Sequence, residues 1–152
     1  MATTPSKKGF KRKFFHVLAK PVNKILRRIY DYRLRHAPIV DNRLVFQSKP
    51  DYSDNAKAFY KYLTSLSDKH YDICWVLEGD IPAETDNEQG IFLKRKNKYD
   101  LLSYDAYSMM ATARLVFATH RFAIPYSRKR PDQQYIYLGS SQHQPACRCF
   151  LP

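Results

Sequence analysis

From Phe10 onward the apolar positions Phe14, Leu18, Val22, Ile25, Ile29 and Tyr32 recur at spacings of four, four, three, four and three. That period keeps them on one face of an α-helix. Pro21 falls within the stripe and is expected to kink the helix or divide it in two, because proline lacks an amide proton and its ring crowds the preceding turn. After Pro38 the pattern changes to short apolar runs that alternate with periodic segments. Arg43 to Ser48 (RLVFQS) predicts a strand, and Asp54 to Leu66 predicts a helix whose inward stripe is Ala56, Phe59, Tyr60, Leu63 and Leu66. Asp72 to Leu77 (DICWVL) is a continuous apolar run of the kind found in strands covered on both faces. The polar stretch from Glu78 to Gln89, with Pro82 inside it, predicts a surface loop. Ile91 to Lys94 predicts a short strand, and Tyr99 to Ala113 a helix that turns Leu102, Ala106, Met109 and Met110 toward the sheet. Arg114 to Thr119 (RLVFAT) and Gln134 to Leu138 (QYIYL) supply two more strands.

Strands alternating with helices predict an α/β fold with a mainly parallel sheet. The organisation that follows is a helical segment over 1–40, a globular α/β region over 41–138, and a divergent tail over 139–152 that is expected to be disordered. Ligands of parallel sheets collect beyond the C-terminal ends of the strands. This directs attention to Gln47 to Asn55, Glu78 to Asp80 and Thr119 to Phe122.

Charge changes the picture of the first segment. The 152 residues carry a net charge of +12, but residues 1–40 hold eleven Lys or Arg against the single Asp31, a local balance of +10. Residues 41–152 hold fifteen against thirteen, leaving +2. The excess is thus confined to the amphipathic helix, unlike a nucleic-acid-binding domain with basic residues spread over its binding face. Lys11, Lys13, Lys20, Lys24, Arg27 and Arg28 flank the apolar stripe and suit an anionic membrane surface, with the stripe at the headgroup boundary. A helix packed on the domain with its charges in water is the competing reading, and nucleic acid is not expected as a partner. Two further basic clusters, Lys94, Arg95, Lys96 and Lys98, and Arg128, Lys129 and Arg130, fit solvated loops, a polyphosphate acceptor or lipid headgroups. No apolar run is long enough to cross a bilayer or to form a signal-peptide core.

Three cysteines, Cys74, Cys147 and Cys149, are too few and odd in number for a disulfide framework, which favours a reducing setting. Cys74 lies in an apolar run and is expected in the core. His143, Cys147 and Cys149 form no zinc-binding spacing, and neither metal nor cofactor is expected.

The turn QSKPDYSDNAKAFYKYL places Asp51, Ser53, Asp54 and Asn55 at a strand-to-helix junction without a glycine. Ser53 or Asp54 can cap the helix, and Asp51 and Asp54 complement its positive end. Two carboxylates would repel a pyrophosphate, so the turn is better suited to accept hydrogen bonds from hydroxyls, as of a polyol acceptor, or to orient a neighbouring cation.

Taken together, VFQSKPDYSDNAKAFYKYL, YDICWVL, FLKRKNKYDLLSYDAYSMMATARLVFATHRF and QQYIYL resemble, in that order, the N-terminal half of the CDP-glycerol glycerophosphotransferase family of teichoic acid synthesis. The resemblance spans about residues 42 to 138. It implies the first of two Rossmann-like domains in a GT-B arrangement, peripheral at the cytoplasmic face of the cell membrane. It also implies transfer of glycerol phosphate from CDP-glycerol, as donor substrate, to a lipid-linked poly(glycerol phosphate) acceptor, with release of CMP. The donor site is expected mainly in the second domain, which a separate polypeptide would have to supply. On this reading Asp51, Ser53, Asp54, Asn55 and Arg121 face the acceptor, and His120 in FATHRF is the candidate general base. In the family the last strand runs into Trp-His-Gly, whereas here Leu138 is followed by GSSQHQPACRCFLP. His143 does not align with the family histidine. A frameshifted or truncated chain, inactive alone, is therefore expected. The other function class compatible with the residues is a non-enzymatic α/β module that binds a membrane or polyanion.

Overall fold

A computed structural model describes residues 7–66, 70–120 and 130–139, with side chains described from Ala19 onward. Its elements in chain order are α1 (Lys7–Leu34), β1 (Val40–Gln47), α2 (Asp54–Ser65), β2 (Asp72–Leu77), a 3-10 turn (Ala83–Thr85), β3 (Ile91–Lys94), α3 (Tyr104–Thr112), β4 (Ala113–Ala118) and β5 (Gln134–Tyr137). The strands form one five-stranded sheet in the order β3-β2-β1-β4-β5, every neighbouring pair parallel. This is the α/β, Rossmann-like fold that the alternating pattern predicts. The final segment from residue 140 lies outside the described residues.

Strand periodicity divides the core into two layers. On one face Val45, Cys74, Val76 and Val116 pack with Ala106, Tyr107 and Met110 of α3 and Leu34 of α1. On the other, Leu44, Phe46, Ile73, Trp75, Leu77 and Phe117 pack with Ala56, Tyr60 and Leu63 of α2. Register aligns Phe46 with both Trp75 and Phe117, and the three rings stack across the strands at centroid distances of 5.2 and 4.9 Å. Such pairs contribute about 0.5–1.5 kcal/mol each beyond area burial. They pin the register of the three central strands just before those strands end.

Pro21 does not divide the helix, and α1 runs as one element from Lys7 to Leu34. Tertiary anchoring accompanies this continuity. Asn23, two residues past the proline, donates from Nδ2 to the Asp100 carbonyl and accepts from the Leu102 N–H, both at 2.8 Å. Tyr30 Oη donates to the Leu102 carbonyl at 3.2 Å, and Tyr107 Oη donates to Asp31. Ala19 and Leu34 complete the buried side.

The packed face of α1 is therefore largely small or polar. The apolar stripe faces outward, with Val22 40%, Ile25 59%, Ile29 42% and Tyr32 73% exposed. Lys20, Lys24 and Arg28 are exposed with it, whereas Arg27 is half-buried and its Nε has no solvent contact. Lys11 and Lys13 lie on the same helix, but their side chains are outside the described set.

The helix predicted over Tyr99 to Ala113 starts later, at Tyr104. Asn97 Oδ1 accepts from the Tyr99 and Leu101 N–H groups, and Asp100 adopts a positive φ of 63°. These local bonds close a turn where the pattern suggested helix, a known competition for Asn and Asp. Ser103 then caps α3 by accepting from the Ala106 N–H at 3.4 Å.

Candidate functional site

Strands β2 and β3 add to one side of β1, and β4 and β5 to the other. The exits of β1 and β4 thus flank the point where the sheet order reverses, the customary ligand crevice of an open parallel sheet. These exits are joined directly. Thr119 N–H donates to the Gln47 carbonyl at 3.2 Å, and Lys49 N–H donates to Thr119 Oγ1 at 3.3 Å. Gln47 and Ser48 are buried beneath them.

The turn after β1 manages without glycine although Tyr52 and Asp54 have positive φ values of 50° and 56°. Tyr52 is held there by its ring, which is buried edge-on against Trp75 at 5.0 Å and Tyr60 at 5.9 Å. Lys57 Nζ lies 4.4 Å from the Tyr52 ring centroid. Burying a large apolar ring contributes about 1.5–3 kcal/mol, enough to offset a left-handed residue at about 1–2 kcal/mol.

Most of the polar side chains in this turn are used within the protein. Ser53 occupies the N-cap position of α2 without making the side-chain cap that its residue type suggests. Its hydroxyl donates instead to the Pro50 carbonyl at 2.6 Å, while its N–H donates to Ser48 Oγ at 3.0 Å. Asp51 does not serve the helix end. Its carboxylate accepts from the Glu78 N–H at 3.1 Å and the Gly79 N–H at 2.6 Å, bracing the exit of β2. Asn55 Nδ2 donates to the Leu138 carbonyl at 2.8 Å, tying the start of α2 to the exit of β5. Asp54 is exposed.

His120 follows β4 at the same end of the sheet. Both ring nitrogens are removed from solvent and have no hydrogen-bond partner among the described residues. Burial lowers its pKa below 6.5; Glu78 and Asp51 pull it back up, while Lys49 and Arg95 push it further down. The ring is therefore neutral near pH 7, and a neutral imidazole can accept a proton. Glu78 is itself held by Arg95 at 2.8 Å. The strand-exit rule groups the segments holding Lys49, Asp51 and Glu78 with His120; Arg95 stands out in the sequence only as part of the basic cluster after β3, not as a neighbour of His120. Arg121, Arg128 and Lys129 lie outside the described residues.

Ion pairing sorts the basic cluster after β3. Lys94 pairs with Asp80, Arg95 with Glu78, and Lys96 with Asp100. Lys98 is exposed, 5.1 Å from the Tyr99 ring centroid. Among the described residues no group of three His, Cys, Asp or Glu is placed to hold a metal, and no helix is long and apolar enough to cross a membrane. A cavity of about 180 Å³ bordered by Leu63, His70, Tyr71 and Ile73 lies at the opposite end of the strands, away from His120.

The wall teichoic acid polymerase TagF has a similar fold. Its unsubstituted form matches with a TM-score of 0.56. A histidine-substituted form matches at 0.57, and another, soaked with CDPG for 30 minutes, at 0.58. Each is 21% identical over 90% of this chain, which spans 32–33% of the length of those chains. No curated protein sequence matches. The family described as CDP-Glycerol:Poly(glycerophosphate) glycerophosphotransferase matches residues 29–143, a span that includes the lower part of α1, every strand, the turn after β1 and His120. The chain belongs to the CDP-glycerol:poly(glycerophosphate) glycerophosphotransferase family.

Proposed function

We propose that this chain is the acceptor-side lobe of a glycerophosphotransferase of GT-B design, acting in teichoic acid synthesis at the cytoplasmic face of the membrane. The observation that carries the reading is the neutral His120 ring, unpartnered among the described residues, beside the turn after β1, where the sheet order reverses. In the proposed step a hydroxyl of a lipid-linked poly(glycerol phosphate) attacks the β-phosphorus of CDP-glycerol. A new O–P bond forms, the P–O bond to CMP breaks with its electron pair leaving on CMP, and His120 takes the hydroxyl proton. Arg121 supports the charge on the transferring phosphate, where positioning and electrostatics dominate. Asp54 is the exposed carboxylate of the turn and the one assigned to accept from the polyol, because the Asp51 carboxylate and the Ser53 hydroxyl are turned to internal bonds. The donor is held by a second lobe outside these residues.

α1 anchors this lobe. Its outward apolar ridge with Lys20, Lys24 and Arg28 beside it matches an anionic lipid surface, and the exposed ridge disfavours nucleic acid.

The test is CMP release from CDP-glycerol and a lipid-linked acceptor, with and without a polypeptide carrying the donor lobe. Release only in the mixture, lost in His120→Asn, is expected. Turnover by this chain unaided would overturn the half-site reading. No release in either case would favour a binding module without catalysis.

A further inference from the structure

α1 is not the whole of the surface turned toward lipid. Asn23, between the ridge residue Val22 and the exposed Lys24, is hydrogen-bonded through both ends of its amide to Asp100 and Leu102. This fastens the 95–103 loop to the helix immediately beside the ridge. The loop is internally rigid. Asn97 Oδ1 gathers two N–H groups, Asn97 N–H donates to the Leu101 carbonyl at 2.9 Å, and Lys96 pairs with Asp100 across the turn at 2.6 Å. Its tip presents Lys98 and Tyr99, both exposed and stacked as a cation over an aromatic ring. Lys94, Arg95 and Lys96 all have carboxylate partners, and Lys98 has none among the described residues.

We propose that Lys98 and Tyr99 form a second lipid-contacting element, held next to the α1 ridge by Asn23. Tyrosine suits the headgroup region, with its ring in the apolar margin and its hydroxyl in water. Lysine reaches lipid phosphate through a flexible apolar stem. Continuity with the α1 ridge and complementary charge identify the occupant as an anionic bilayer rather than a soluble polyanion. The proposal rests on the membrane reading of α1 and extends it to a loop whose other end, Arg95, is ion-paired at the mouth of the His120 site.

The test uses the full chain with phosphatidylglycerol-containing and purely zwitterionic vesicles. Single-tryptophan reporters come from Trp75→Phe combined with Tyr99→Trp, Ile25→Trp or Tyr62→Trp; Tyr62 is an exposed aromatic on α2. Circular dichroism checks that each variant folds, and if Trp75→Phe does not, an environment-sensitive dye on Tyr99→Cys, Ile25→Cys and Tyr62→Cys replaces tryptophan. Quenching by brominated anionic lipid at positions 99 and 25, but not 62, is expected. Lys98→Ala should weaken vesicle partitioning about fivefold, the share of one interfacial cation. Quenching at 25 with none at 99 overturns the inference and leaves the α1 anchor standing. No quenching at either overturns both, and equal quenching at 62 shows non-specific adsorption and overturns the inference.

Discussion

Asn23 and Ile25 lie two residues apart on α1, and hydrophobicity alone would assign the stability of the helix to the isoleucine. The opposite is expected. Asn23→Ala removes two 2.8 Å hydrogen bonds and leaves the Leu102 N–H and the Asp100 carbonyl without that partner in a partly buried seam. At about 0.5–1.5 kcal/mol net per bond the loss is about 1–3 kcal/mol, reduced by about 0.5 kcal/mol because alanine is the better helix former. A net cost near 1.5 kcal/mol follows. For a chain of 152 residues that corresponds to a fall in Tm of about 3–6 °C. Ile25→Asn changes a residue that is 59% exposed, and surface changes of this kind stay within about 0.5 kcal/mol. Urea unfolding followed by Trp75, the only tryptophan and fully buried, provides the assay. The orientation of α1 is refuted if Asn23→Ala is neutral while Ile25→Asn costs more than about 1.5 kcal/mol, the figure expected for a buried apolar side chain.

Because burial holds the His120 pKa below 6.5, the unfolded chain binds more protons in the interval between the folded value and 6.5. The stability contributed by the neutral ring is complete above that interval and is lost as pH falls through it; urea midpoints from pH 5 to 8 should show a slope that His120→Asn flattens. Glu78→Gln removes a charge that raises the His120 pKa, so imidazole resonances followed by NMR should titrate at still lower pH in that variant. Gln133 is buried, and its Nε2 lies 2.9–3.1 Å from the Met110, Ala111 and Ala113 carbonyls; Gln133→Leu should cost about 2–3 kcal/mol in urea unfolding by leaving those acceptors under-satisfied. Gly90 has a φ of 108°, and an added Cβ would lie 2.7 Å from the Ile73 carbonyl oxygen; Gly90→Ala should lower stability by about 1–3 kcal/mol in the same assay.

The strands were legible because each exists for its apolar run, and the DICWVL segment does place alternate residues in both core layers. Less legible were features set by single polar side chains. The late start of α3 depends on Asn97 and Asp100 closing a turn that apolar periodicity does not register. Amphipathy located the α1 stripe but could not say which side meets the protein, because Asn23, Tyr30 and Asp31 dock through hydrogen bonds to partners more than seventy residues away. In the candidate site, the rule of strand exits correctly grouped the turn after β1 with His120. What it could not supply was the destination of each side chain. Ser53 resembles a cap and bonds Pro50, while Asp51 resembles a helix-end acid and bonds Glu78 and Gly79 just past β2.

The Asp51 brace bears on how mutagenesis of this lobe should be interpreted. A carboxylate at the rim of a crevice invites the conclusion that its loss abolishes a substrate contact. Here its removal would slacken the segment carrying Glu78 and also delete a charge that itself raises the His120 pKa, so the defect would reach His120 without any ligand having touched residue 51. An impaired Asp51 variant would then mimic a recognition mutant while being a misaligned one, with the signature of an altered histidine titration in the absence of any acceptor.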